Sequence, residues 1–428
     1  MQEKLRNFLT TSIFLLILML VYPFQASAVE FSRNLTVGSR GPDVLRLQKE
    51  LLKLGHLSAQ PTDYFGWEAY KAVTRFEQAM GICADGVVTE KEWNLLFALP
   101  VSPSRRLPAK AGGKVTFGYY PVDYPGDKTA FNSLSSFGEQ LSAVGFFTVR
   151  PDYRGNLSGE VPADGLAAAN RHGVKSLLVV HNCRNGRFDP EVVHQILTNR
   201  DLENRLTGEI LRLLRANRLS GVNIDFENIP PSDRSLFNGF LERLAGALRP
   251  AGFLLTVAVA AKTYDNPYSS WNGAFDYRAI GRICDYVVLM TYDEHWSGGP
   301  PGPVSSIPWI TRVLNYTVGT ISKEKILLGI PAYGYDWTSK GSRVLRWTQV
   351  NRLINQLGWD KVVWDNYACC PYLEYWEGGV RHQVWFENEH SLKIKLDQVR
   401  KYGLAGISVW RLGFEDAAFW KIISNFTY

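Results

Sequence analysis

From Lys114 onward, apolar and polar positions alternate between two rhythms. Short runs rich in β-branched and aromatic residues read as buried strands, and the segments between them repeat apolar positions at helical spacing. The runs are VTFGYY (115–120), AVGFFTV (143–149), VKSLLVV (174–180) and GVNIDFE (221–227). They continue with LLTVAVA (254–260), YVVLMTY (286–292), ILLGIPAYG (326–334) and LAGISVW (404–410). Leu202, Leu206, Ile210 and Leu214 form one helical stripe; Leu236, Phe237, Phe240, Leu241, Leu244 and Leu248 form another. Strands alternating with helices predict an α/β fold, and eight of them fit a (β/α)8 TIM barrel over 114–428 better than an open sheet. The count alone leaves a doubly wound sheet open. The rhythm breaks over about 338–388, which has its own helical pattern and a hairpin-like Gly378-Gly379. That segment predicts a small α+β insertion over the barrel mouth.

The N-terminal quarter is patterned differently. Lys4 and Arg6 precede an apolar run from Phe8 to about Phe24, followed by Ala26-Ser27-Ala28. This order predicts a secretory signal peptide over 1–28. A retained anchor is the alternative, since the run is barely long enough to span a bilayer. Over 29–99, Val44, Leu47, Leu51 and Leu54 recur at helical spacing and Gly55 stops that helix. Ala69, Val73 and Phe76 begin a second helix, ended by Gly81, and Thr89 opens a third carrying Trp93, Leu96 and Phe97. A small three-helix module is expected. PVSPSRRLPAKAGG (100–113) then reads as a linker by its Pro, Gly and basic content.

Composition adds three constraints. Aromatics at 13%, with 13 Trp and 20 Tyr, suit a carbohydrate-handling protein, although aromatics also fill cores. The net charge of +6 is spread thinly, which favours anionic wall polymers over nucleic acid as a partner. Five scattered cysteines and seven dispersed histidines match neither a disulfide framework nor a zinc spacing, so no metal or cofactor is expected.

The fourth run carries the chemistry. Asn223, Asp225 and Glu227 occupy every second position, with Val222, Ile224 and Phe226 between them. Alternate side chains share one face of a strand. In an open sheet that face could simply be wet. In a barrel the polar set points inward, with Glu227 last, at the C-terminal mouth where barrel active sites sit. Two carboxyls roughly 6.5 Å apart in Cα position oppose each other's ionisation. A raised pKa is what a general acid needs near neutral pH. Neighbours on one strand also approach a sugar from one side, so the second is poorly placed as an opposed nucleophile. A 2-acetamido group on the substrate would supply one.

SGVNIDFE resembles the acidic strand-four signature of glycoside hydrolase family 18, DGxDxDxE, with Ser220 and Asn223 in place of two of its acids. LMTYDEH (289–295) and AGISVWRLG (405–413) resemble the family's sixth- and eighth-strand motifs. GYDW (334–337), CCPYLEYW (369–376) and HQVWFENEHSLKIKL (382–396) look most like the branch containing spore-cortex-lytic N-acetylglucosaminidases. The resemblance implies three catalytic residues: Glu227 as general acid, Asp225 orienting the acetamido group, and Tyr292 hydrogen-bonding its oxygen. It implies sugar contacts for Asp293 and for Trp410 under the central subsite. Asn223, Met290, Tyr335, Trp337 and Tyr119, the last on the pocket floor, complete the candidate substrate-binding set. Trp296, Trp337 and Trp385 are divided between sugar stacking and packing. Asn223 can donate a hydrogen bond, but the proton-sharing partner of Asp225 is left open.

The module resembles the peptidoglycan-binding domain of bacterial wall hydrolases, on Gly41, Val44, Leu47-Gln48, Leu51, Leu54-Gly55, Phe65-Gly66, Val73, Phe76, Gln78, Gly81, Asp85-Gly86 and Trp93. With the signal segment, the two resemblances give the expectation of a secreted, monomeric hydrolase associated with the cell wall or spore envelope. It would cleave the β-1,4 bond after N-acetylglucosamine in peptidoglycan or a related polymer, by substrate-assisted retaining catalysis. A chitinase of the same chemistry and a non-catalytic wall- or sugar-binding protein are the alternatives; the retained Glu227 argues against the latter.

Overall fold

The computed structural model describes residues 31–53, 55–80, 82–97, 106–110 and 113–426. The expected signal peptide, Leu54, Gly81 and most of the expected linker lie outside the described residues. Eight strands form the catalytic core: β1 (Val115–Pro121), β2 (Ala143–Pro151), β3 (Lys175–His181), β4 (Gly221–Asp225), β5 (Leu254–Ala260), β6 (Tyr286–Met290), β7 (Ile326–Pro331) and β8 (Gly406–Trp410). Neighbours pair in parallel, and β1 pairs with both β2 and β8, so the sheet closes into a barrel. Closure rules out the open sheet.

Alternation along the strands sorts the side chains. Val222, Ile224 and Phe226 pack outward with the helix stripes, whereas Phe117, Leu177, Val179, Ala258 and Val288 meet inside. Gly145 makes room there: a Cβ at this position would lie 2.6 Å from Phe117 and 2.8 Å from Val179. The helix Arg200–Ala216, carrying Leu206, Ile210 and Leu214 on its buried face, starts where the Asn199 side chain accepts from the N–H groups of Asp201 and Leu202.

Two expectations need correction. The insertion starts at Tyr333, ahead of residue 338, because the seventh run contains two strands. β7 ends beside β8, the Ala332 N–H donates to the Trp410 carbonyl, and Tyr333–Thr338 then joins a separate antiparallel sheet. That sheet runs in the order 341–346, 333–338, 380–385, 370–377, 363–365, and packs on the helix Trp347–Leu357 through Leu345, Val350, Ile354 and Leu373. The linker is also more than a tether. Leu107 is buried inside the base of the barrel with Val115 and Tyr286, and its N–H donates to the Tyr286 hydroxyl at 3.1 Å. An open barrel end exposes apolar interior, and one leucine filling it stabilises the fold by about 2 kcal/mol.

The module has helices Pro42–Lys53, Trp67–Met80 and Glu90–Phe97 around Val44, Leu47, Leu51, Phe76 and Trp93. Gln48 is buried, and its amide bonds the Tyr64 carbonyl and the Thr62 N–H, tying the connecting loop to the first helix. Gly86 is required at φ 71°, since a Cβ would meet the Tyr70 ring at 2.1 Å. The second helix packs against the barrel helix Arg200–Ala216. Among the described residues no helix is long and apolar enough to cross a membrane.

Candidate active site

Asp225 is the last residue of β4 in the ladder and is 3% exposed; Glu227 lies just beyond it and keeps partial access to the mouth. Asn182, one residue past β3, holds Glu227 by the backbone: its Oδ1 accepts from the Glu227 N–H and its Nδ2 donates to the Glu227 carbonyl, both at 2.9 Å. The chain then turns through Asn228, a non-glycine residue at φ 55°. This clamp fixes the carboxyl-bearing Cα without using the carboxyl itself.

Beneath the pair, Asn223 is sealed from solvent. Its Oδ1 accepts from the Tyr119 hydroxyl at 3.1 Å and its Nδ2 donates to Thr256 Oγ1 at 2.8 Å. Asn223 and Tyr119, both buried, are bonded to each other beneath Asp225. Burial drives the acids toward their neutral forms. Desolvation pushes Asp225 up to about 7, and Glu227 is raised well above the usual carboxylate range by burial, then by Asp225 and Asp293. Asp225 Oδ1 is buried with no hydrogen-bond partner. A sealed acceptor of that kind disfavours the charged carboxylate, in keeping with the raised pKa.

Tyr292 and Asp293 follow β6. Gly329 on β7 gives the Tyr292 ring its place, since a Cβ there would come within 2.8 Å of it. Burial and the three nearby carboxyls raise the Tyr292 hydroxyl well above its usual pKa, so it stays a donor. Asp293 adopts φ 57° and accepts from the hydroxyls of Tyr333 and Tyr335, at 2.5 and 3.0 Å, on one oxygen. Tyr335 is thus committed to Asp293, and Tyr333 joins the site without having been picked out from sequence. Tyr333, Tyr335 and Trp337 form a ladder of rings 5.4 and 5.1 Å apart along the insertion strand. At its Trp337 end opens a groove of about 690 Å³, also lined by Trp376 and Gln383.

Trp410 packs against the interior cluster of the barrel. Half-buried at the end of β8, it meets Tyr119 at 5.4 Å and Phe147 at 5.2 Å, both edge to face, while Met290 closes the interior below. Of the other tryptophans, Trp296 is exposed and Trp385 stacks on Tyr372. Sequence reasoning passed over Asn182 and Thr256. The only available signal was a polar residue ending or interrupting an apolar strand run, as in VVHN and LLTV.

A closed barrel with two acids at its C-terminal mouth suits a glycoside-cleaving enzyme, and the family match shows that class. The chain belongs to glycosyl hydrolases family 18, whose profile matches residues 169–415, and it carries a peptidoglycan binding domain matched over residues 40–96. It is 32% identical to the glycosylase YvbX of Bacillus subtilis, over 74% of this chain and 93% of that protein. It is 29% identical to the cortical fragment-lytic enzyme of Bacillus anthracis, over 72% of this chain and 73% of that one. The crystal structure of a chitinase from Chromobacterium violaceum superposes with a TM-score of 0.68 at 30% identity, covering 73% of this chain and 98% of the other.

Proposed function

We propose that the protein is an exported peptidoglycan hydrolase of N-acetylglucosaminidase type, acting at the cell wall or spore envelope. The observation that carries the mechanism is the Asp225–Glu227 pair: two carboxyls two residues apart at the end of β4, both raised by burial, so that a proton is available near neutral pH. The third carboxyl in reach, Asp293, is tied to the insertion by two tyrosines, which favours a nucleophile supplied by the substrate.

Glu227 gives its proton to the glycosidic oxygen as the bond from the anomeric carbon breaks. The acetamido oxygen attacks that carbon from the other side, forming an oxazolinium ion. Asp225, in its ionised form, accepts the acetamido N–H and balances the positive charge, while the Tyr292 hydroxyl orients the acetamido oxygen. Glu227, now a carboxylate, takes a proton from the water that reopens the ring. Two inversions retain the configuration.

The binding module and the cortical fragment-lytic relative favour peptidoglycan. The near-complete superposition of the chitinase favours chitin as the second reading. Digestion of both polymers, with mass spectrometry of the new reducing ends, separates them. N-acetylglucosamine ends from peptidoglycan support the proposal, and N-acetylmuramic acid ends or chitin-only cleavage overturn it. A Glu227→Gln protein that keeps full activity on either polymer overturns the mechanism.

A further inference from the structure

His181 ends β3 on the inward face of that strand, in line with Leu177 and Val179. Its register partner on β4 is Asp225. Paired residues of parallel strands point to the same side and lie about 4.8 Å apart. The imidazole is therefore the lateral neighbour of the Asp225 carboxyl, on the side away from β6 and Tyr292.

The ring is firmly held. It stacks on Phe147 with centroids 3.8 Å apart and planes 7° from parallel, and Phe147 in turn meets Trp410. Nδ1 accepts from the Cys183 N–H at 3.2 Å. A backbone amide can only donate, so this bond assigns the tautomer: the proton of the neutral ring sits on Nε2. Burial keeps the ring neutral by pushing its pKa down to about 3. Among the described residues Nε2–H has no protein acceptor, and it is not one of the sealed, unpartnered atoms. A core histidine normally satisfies both nitrogens within the protein. Here one donor is left without a protein partner, on an inward-facing residue whose register neighbour is Asp225.

We propose that His181 is a specificity residue whose Nε2–H donates to the 3-oxygen of the N-acetylglucosamine held over Asp225 and Trp410. The assignment rests on the substrate-assisted reading, which sets the acetamido group on Asp225. The acetamido-bearing carbon has two ring neighbours. One is the anomeric carbon, which must face Glu227 further along β4; the other is C3. A donor beside Asp225, across the strand direction, faces the C3 oxygen. N-acetylmuramic acid carries its lactyl ether on that oxygen, which crowds the donor. His181 thus favours N-acetylglucosamine in this subsite and so sets which bond of the alternating polymer is cut.

The test compares the full chain with its His181→Phe and His181→Gln variants. Phenylalanine keeps the stack on Phe147 and removes the donor, and glutamine restores a donor. Substrates are a chromogenic aryl glycoside of the N-acetylglucosamine disaccharide and its analogue lacking the 3-hydroxyl on the aryl-bearing sugar. His181→Phe is expected to lower kcat/KM on the parent roughly ten- to a hundredfold, mainly through KM. On the 3-deoxy analogue the loss shrinks to about twofold or less, and His181→Gln recovers part of the parent activity. Equal losses on both substrates, or a His181→Phe protein within about twofold of wild type on the parent, overturn the proposal. A wild-type protein that turns over neither substrate fails the glycosidase reading instead. Titration of tryptophan fluorescence with the N-acetylglucosamine trisaccharide then decides His181 separately: weaker binding by His181→Phe supports the contact, and unchanged affinity overturns it.

Discussion

Replacing Asp225 by Asn should stabilise the protein, and by an amount that depends on pH. An aspartate titrates near 3.9 in an unfolded chain, and burial moves Asp225 up to about 7 in the folded protein. Between these values the folded state binds the proton and the unfolded state does not, so stability falls as pH rises. The loss starts near the unfolded pKa and is complete once pH has passed the folded one. Three pKa units correspond to about 4 kcal/mol. Asparagine keeps the shape and carries no charge, so the variant escapes this loss. At pH 8, Asp225→Asn should melt about 6 °C above wild type, using the usual unfolding entropy per residue for a barrel of this size. At pH 4 both side chains are neutral and the two melting curves should coincide. Differential scanning calorimetry from pH 4 to pH 8 reads the effect directly, and activity on peptidoglycan should fall in the same variant. A melting difference that stays constant across that range would refute the argument, because it would show that desolvation of the carboxylate is not what the substitution relieves.

Three further outcomes are expected. Asn223→Asp puts a second carboxyl beneath Asp225, where like charges oppose ionisation; it should cost about 1–3 kcal/mol at pH 8 and almost nothing at pH 4, by urea denaturation at both pH values. Asn182→Ala removes both hydrogen bonds that hold the Glu227 backbone, so kcat should drop roughly ten- to a hundredfold while KM moves less. Leu107→Ala opens a cavity at the barrel base and should lower stability by about 2–4 kcal/mol, with kcat per folded molecule unchanged.

Much of this enzyme is written in short-range pattern. Side-chain direction in a strand repeats every two residues, so Asn223, Asp225 and Glu227 were bound to share a face wherever β4 lay. The helix stripes, the eight strand runs and the motif around Tyr292 and Asp293 are equally local, and they led to the barrel and to the acid pair. What the pattern does not contain is lateral position. His181 neighbours Asp225 only through the β3–β4 register, and Thr256 reaches Asn223 only through β4–β5. Asn182 grips Glu227 across 45 residues of chain, and Leu107 meets Tyr286 across 179. The break after Pro331 is likewise decided by contacts, since Tyr333 and Tyr335 leave the barrel ladder to hold Asp293. Even the exchange of an acid for Asn223 became intelligible only in three dimensions, where Tyr119 and Thr256 saturate its amide. The sequence by itself determined which residues could carry the chemistry, because facing is a local property of the backbone. The tertiary structure decided which of them touch, because strand register and loop closure are set by packing between distant segments.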